Sequence, residues 1–135
     1  LSLVGSEMCI RDRYNASPMS MKKSLETFSK IYNDREKIAV IGDMLELGEE
    51  EAELHASIFD VIVNTNLNKL YLYGPRMRFL YDRIKENSDN ENIKNIETEY
   101  FESKELIKEK LEQIKSEKVI LIKASRGMKL EDVIE

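Results

Sequence analysis

The chain has 135 residues, 41% hydrophobic and 35% charged, which suits one domain with a core of its own and argues against disorder. A formal net charge of -5 speaks against a nucleic-acid backbone as partner, and no apolar run approaches a membrane span. With one cysteine there is no internal disulfide, and a reducing cytoplasm is the expected home.

The first dozen residues read as foreign to the rest. Leu3 to Asp12 can be back-translated into a string that resembles a transposon-type adapter used to prepare sequencing libraries. Residues 1–12 are therefore expected to be an artefact, and the domain to occupy 13–135. On that reading Cys9 is not native, a first strand has been replaced, and the sheet keeps an exposed, aggregation-prone edge. The alternatives are a genuine N-terminal strand or a short signal peptide, the latter disfavoured because Glu7, Arg11 and Asp12 interrupt any apolar region.

Ser17-Pro18 predicts a helix start, a capping hydroxyl followed by proline at the first helical position. Met21, Leu25, Phe28 and Tyr32 continue it as an apolar stripe, and Asn33-Asp34-Arg35 ends it. Ile38-Ala39-Val40-Ile41 is a short apolar run closed by Gly42, the pattern of a strand buried on both faces. Gly48 to Glu51 opens a second helix with an acidic first turn, and Leu54, Ile58, Val61 and Ile62 form its buried face. Leu70 to Tyr73 is the next strand. Pro75 starts a helix with Met77, Leu80, Tyr81 and Ile84 inward.

Glu86 to Asn95 is polar and is expected to be an exposed loop. Glu99-Tyr100-Phe101 predicts a short strand, and Ser103 caps a helix whose apolar face is Ile107, Leu111 and Ile114. Val119 to Ile122 is the clearest buried strand, and Met128 to Glu135 begins a last helix. The alternation implies βαβ crossovers, hence an α/β fold with a mainly parallel sheet and helices on both faces.

Such sheets bind ligands beyond the carboxyl ends of their strands. Here those ends are Gly42-Asp43, Gly74-Pro75 and Lys123 to Arg126, with Tyr14 to Ser17 on the same rim if a strand precedes it. The rim would carry a carboxylate, an amide, hydroxyls and two cations, groups suited to a polar, charged substrate. No phosphate-binding G-x-x-x-x-G-K-[ST] string and no His/Cys set at metal-ligand spacing occurs. The single histidine, His55, reads as structural.

Three strings then stand out: Asp12-Arg13-Tyr14-Asn15-Ala16-Ser17-Pro18, Gly42-Asp43-Met44-Leu45-Glu46-Leu47-Gly48, and Lys123-Ala124-Ser125-Arg126-Gly127-Met128-Lys129-Leu130-Glu131. In this order they resemble the C-terminal domain of the Mur ligases, over nearly all of the chain from Asp12 onward. The match is to members that add D-alanyl-D-alanine, which carry D-x-Y-N-A-N-P, G-D-M-L-E-L-G and K-G-S-R-G-M-K-L-E. Ser17 stands where Asn is commoner, Ala124 where Gly is, and Arg13 fits poorly.

The resemblance implies a Rossmann-like lid of a three-domain, ATP-dependent amide ligase of peptidoglycan synthesis. Its partners would be UDP-N-acetylmuramoyl-tripeptide and D-alanyl-D-alanine, and its cofactors ATP and Mg2+, bound mainly by preceding domains. The fragment would hold no catalytic or metal-binding residue and be inactive alone. By the same resemblance Asp12 suits a ribose hydroxyl of ATP. Tyr14, Asn15, Ser17 and Asp43 suit nucleotide or substrate, and Ser125 and Arg126 suit the dipeptide carboxylate. Simpler roles stand beside these: Asn15 and Ser17 as turn and cap, Asp43 as a loop cap, Arg126 as a surface charge tied to Glu131 or a helix end. The competing function is a free-standing α/β module that binds a small anion or a partner without catalysis.

Overall fold

The computed structural model describes residues 2–4, 8–11 and 16–134, the first two stretches as backbone alone. Strands β1 (Ser2–Val4), β2 (Met8–Arg11), β3 (Glu36–Gly42), β4 (Lys69–Tyr73), β5 (Glu97–Phe101) and β6 (Lys118–Lys123) join one sheet. Their order is β1-β2-β6-β3-β4-β5, parallel throughout except for the antiparallel pair β1–β2 at the edge. Apolar runs such as Ile38 to Ile41 and Val119 to Ile122 occupy the centre, where both faces are covered and alternation is not required. The helices are α1 (Pro18–Lys30), α2 (Glu51–Ala56), α3 (Phe59–Ile62), α4 (Met77–Glu86), α5 (Glu91–Lys94) and α6 (Lys104–Gln113).

Two apolar clusters sandwich the sheet. Met21, Leu25 and Phe28 of α1 join Ile62, Met77 and Leu80 on one face. Ile107 and Leu111 of α6 join Tyr71, Ile120, Leu130 and Val133 on the other. The connections that leave the adjacent strands β3 and β6 thus depart to opposite faces of the sheet. Such a divergence leaves a crevice beyond the strand ends, and in open parallel sheets ligands bind there.

Four expectations meet a different local structure. The segment expected to lack a strand has one: the backbone of Met8–Arg11 pairs in parallel with β6, so the β6 edge is covered. The conformation of that segment is a separate matter from the origin of its codons. The second helix is broken into a 3-10 turn (Gly48–Glu50), α2 and α3. The Ser57 hydroxyl donates to the Leu54 carbonyl at 2.7 Å, and Ile58 N–H reaches back only three residues to His55, which tightens the turn between the pieces. As a result His55 and Ala56 are buried and Leu54 is only half-buried.

The polar stretch 86–95 contains α5, capped by Asn90, whose side chain accepts from Asn92 N–H at 2.8 Å while Ile93 anchors the turn in the core. The last segment forms two 3-10 turns, Arg126–Met128 and Leu130–Ile134, separated by Lys129 in the left-handed region at φ 47°.

Candidate functional site

Three loops meet beyond the carboxyl ends of the strands, and the side chain that organises them is Asp43. Its carboxylate is fully buried. It accepts from Met77 N–H at 2.9 Å and from Arg76 N–H at 3.1 Å, the first amides of α4, and from the Arg76 guanidinium at 3.3 Å. A buried carboxylate is tolerable only when satisfied in this way, and the positive end of a helix is a favourable place for it. The helix that Pro75 was expected to start is therefore capped from 34 residues away in sequence. Gly74, at φ 108°, permits the arrangement, since a Cβ there would collide with the Asp43 carboxylate. Arg76 also donates to Glu51 at 2.6 Å and so ties α2 to the same loop.

Ser125 makes the second tie. Its hydroxyl accepts from Leu45 N–H at 2.8 Å, and its own N–H donates to the Asp43 carbonyl at 3.0 Å. Leu45 also packs so closely that a Cβ on Gly127 would lie 3.1 Å from its Cδ1. The loops after β3 and β6 are thereby one unit, set across the crevice between those strands. His55 makes the third tie. Its Nε2 accepts from Met44 N–H at 2.9 Å, and its Nδ1 lies 2.7 Å from the Glu51 carbonyl. The proton therefore sits on Nδ1, and both ring nitrogens are occupied within the fold. His55 is structural, as its isolation in the sequence suggested.

The structure brings Asp43 and Ser125 together and directs both inward. Arg126 follows Ser125 and is exposed on the rim, though it is not without an internal partner. Ser17 is exposed and caps α1 reciprocally with Ser20: Ser20 N–H donates to Ser17 Oγ at 3.1 Å, and Ser17 N–H to Ser20 Oγ at 2.9 Å. Asp12, Tyr14 and Asn15 lie outside the described residues. Sequence reasoning missed Arg76 and Glu51 as parts of the rim. The available signal was that Arg76 directly follows a Gly-Pro pair closing a buried strand. Lys123, the second rim cation of the sequence reading, is buried and partnered.

The family model described as the Mur ligase, glutamate ligase domain, matches residues 1–126. The chain belongs to the Mur ligase family. A Rickettsia prowazekii relative named UDP-N-acetylmuramoyl-tripeptide--D-alanyl-D-alanine ligase is 36% identical over 126 residues, covering 93% of this chain and 26% of its own length. A Bacillus subtilis relative of the same name is 33% identical, covering 93% of this chain and 27% of its own length. The chain thus spans about a quarter of the length of these ligases.

Among solved structures, MurF ligase from Thermotoga maritima in complex with ADP is 29% identical with a TM-score of 0.66, covering 90% of this chain and 25% of that one. MurF from Acinetobacter baumannii, 20% identical with a TM-score of 0.75, covers 99% of this chain and 29% of that one and speaks for the fold alone. The Mur ligase C-terminal fold and its mainly parallel sheet are those expected from the sequence.

Proposed function

We propose that this chain is the C-terminal lid of an ATP-dependent ligase that joins D-alanyl-D-alanine to UDP-N-acetylmuramoyl-tripeptide. The observation that carries the reading is the agreement of motif and geometry. The strings that point to this ligase, Gly42 to Gly48 and Lys123 to Glu131, are the two loops locked together across the crevice by Ser125. The shared name of the relatives at 33–36% identity supports it.

Joining a carboxylate to an amine requires activation of the carboxylate, which ATP supplies as a phosphoryl group. This chain's part is to position and to exclude water, as closing lids do. Arg126, exposed on a rigid rim, suits a dipeptide carboxylate through its planar fork. Asp12, Tyr14 and Asn15 are proposed to face nucleotide or dipeptide, and Ser17 to orient that segment as the cap of α1. Asp43 and Ser125 are proposed to act by fixing the loop backbone, because their side chains bond within the fold. ADP in the Thermotoga relative supports the nucleotide. Among the described residues no cluster of three or more His, Cys, Asp or Glu fits a metal ion. Mg2+ is proposed to be held mainly by domains that precede this one in the ligase.

The test is to recover the reading frame upstream of Tyr14 from the source DNA and assay the complete protein. We expect a phosphate-loop domain upstream, and ADP release that depends on both the tripeptide precursor and D-alanyl-D-alanine. Arg126→Ala should then raise the KM for the dipeptide at least about tenfold. A complete protein without dipeptide-dependent ADP release overturns the reading and favours a binding module. The same DNA decides our proposal that residues 1–12 are adapter-encoded.

A further inference from the structure

The turn that carries Arg126 is short, and Arg126 and Gly127 at its apex are exposed. Met128 N–H donates to the Ser125 carbonyl at 2.9 Å and Lys129 N–H to the Arg126 carbonyl at 3.1 Å, which closes the turn without placing it. On its amino side Ser125 is tied to the β3 loop through Leu45 and Asp43. On its carboxyl side Lys129 stands in the left-handed region, a conformation that a residue other than glycine keeps only where its surroundings impose it. Those surroundings are Leu130, buried in the second apolar cluster, and Lys104, the first residue of α6. The Lys104 ammonium donates to the Asp132 carboxylate at 2.8 Å and lies 3.4 Å from the carbonyl oxygens of both Met128 and Lys129. One cation thus gathers oxygens from three residues on the carboxyl side of the turn. The Asp132 carboxylate pushes the Lys104 ammonium up and burial opposes it less, so the clamp keeps its charge through the neutral range. Lys104 lies in none of the three family strings.

We propose that Lys104 is a positioning residue for the ligase reaction. It fixes the aim of Arg126, and with it the affinity for the dipeptide carboxylate, from the carboxyl side of the turn as Ser125 does from the amino side. The proposal rests on the ligase reading and on Arg126 as the group that meets that carboxylate. A planar guanidinium binds a carboxylate through two parallel bonds only when it is well aimed, so a small displacement of the turn is felt in binding. The Lys104–Asp132 pair is partly exposed, with side-chain exposures of 23% and 49%, and such pairs contribute little to stability. Loss of Lys104 therefore changes the aim of the turn more than it changes the fold.

The experiment is steady-state kinetics of the complete ligase, with ADP release followed as each substrate is varied in turn. Lys104→Met should raise the KM for D-alanyl-D-alanine about fivefold and leave kcat, and the KM for ATP and for the tripeptide precursor, within about twofold. Its melting temperature should fall by less than about 3 °C. Lys104→Arg keeps a charged donor within reach of Asp132 and should restore the dipeptide KM to within about twofold. Combined with Arg126→Ala, Lys104→Met should add less than about twofold, because the two residues act as a unit. An unchanged dipeptide KM, an equal rise in every KM, or a full fivefold effect in the Arg126→Ala background each overturns the proposal. A wild-type ligase without dipeptide-dependent ADP release overturns the ligase reading and this proposal with it. Wild-type turnover that is indifferent to Lys104→Met overturns this proposal alone.

Discussion

The two ends of the parallel sheet solve the same problem in opposite ways. Beyond the carboxyl ends, buried polar side chains satisfy backbone amides: Asp43 serves two N–H groups of the β4–α4 loop, Ser125 one of the β3 loop, His55 another. At the amino ends, polar side chains mostly serve a charge. Lys37 is buried without a carboxylate, and its ammonium donates to the Ser29 carbonyl at 2.6 Å, Asn33 at 2.7 Å and Asn66 at 2.9 Å. Burial pushes its pKa down. The difference matters for function. Side chains that hold backbone make a rim whose loops are rigid and whose remaining groups are well aimed. Side chains that hold one another make a clamp with no surface to offer.

The sharpest way to break the comparison is to remove its two centres in turn. Asp43→Ala strands the two helix-end amides of Arg76 and Met77, while the Arg76 guanidinium keeps its bond to Glu51. We expect a loss of about 3–5 kcal/mol in urea unfolding of the chain. Lys37→Met leaves acceptors that can re-pair, since Asn66 already donates to Asn33 at 3.2 Å, and it removes a buried charge. Its expected loss is about 1–2 kcal/mol. Equal losses would show that the two ends are held by the same kind of bond, and the proposed rigidity of the rim would lose its basis.

The sheet and its strands were legible because each central strand is an unbroken apolar run closed by a rim residue. The strings that identify the family were legible too, and they lie where the strands end. The roles of individual residues were not. Asp43 reads equally as a ligand or a cap from sequence, because its amide partners lie 33 and 34 residues away and depend on the register of β3 with β4. His55 was expected to be structural, but its partner, the Met44 amide, follows from a break in the helix at Ser57 that periodicity does not show. The short helix α5 was missed because one buried residue, Ile93, carries no period. Asn90 four residues ahead of Lys94 was the available capping signal.

The amino end also holds one ion pair whose pH dependence separates it from the rim. Burial pushes the Glu36 carboxyl up, but its bonds to Lys69 and to the Ser116 hydroxyl, the latter at 2.5 Å, outweigh that and leave it below its ordinary value of 4.5. A carboxyl lowered in the folded state binds its proton more readily when unfolded. Its stabilising contribution is therefore complete above the ordinary glutamate value and is lost as pH falls through the folded value. Glu36→Gln should cost less than about 1 kcal/mol at neutral pH, because the pair is partly exposed and worth little. Acid titration of the two proteins should show their stabilities converging below pH 4.5, with the wild-type chain the steeper. A constant difference across that range would mean that Glu36 acts through packing and the Ser116 bond, with no contribution from its charge.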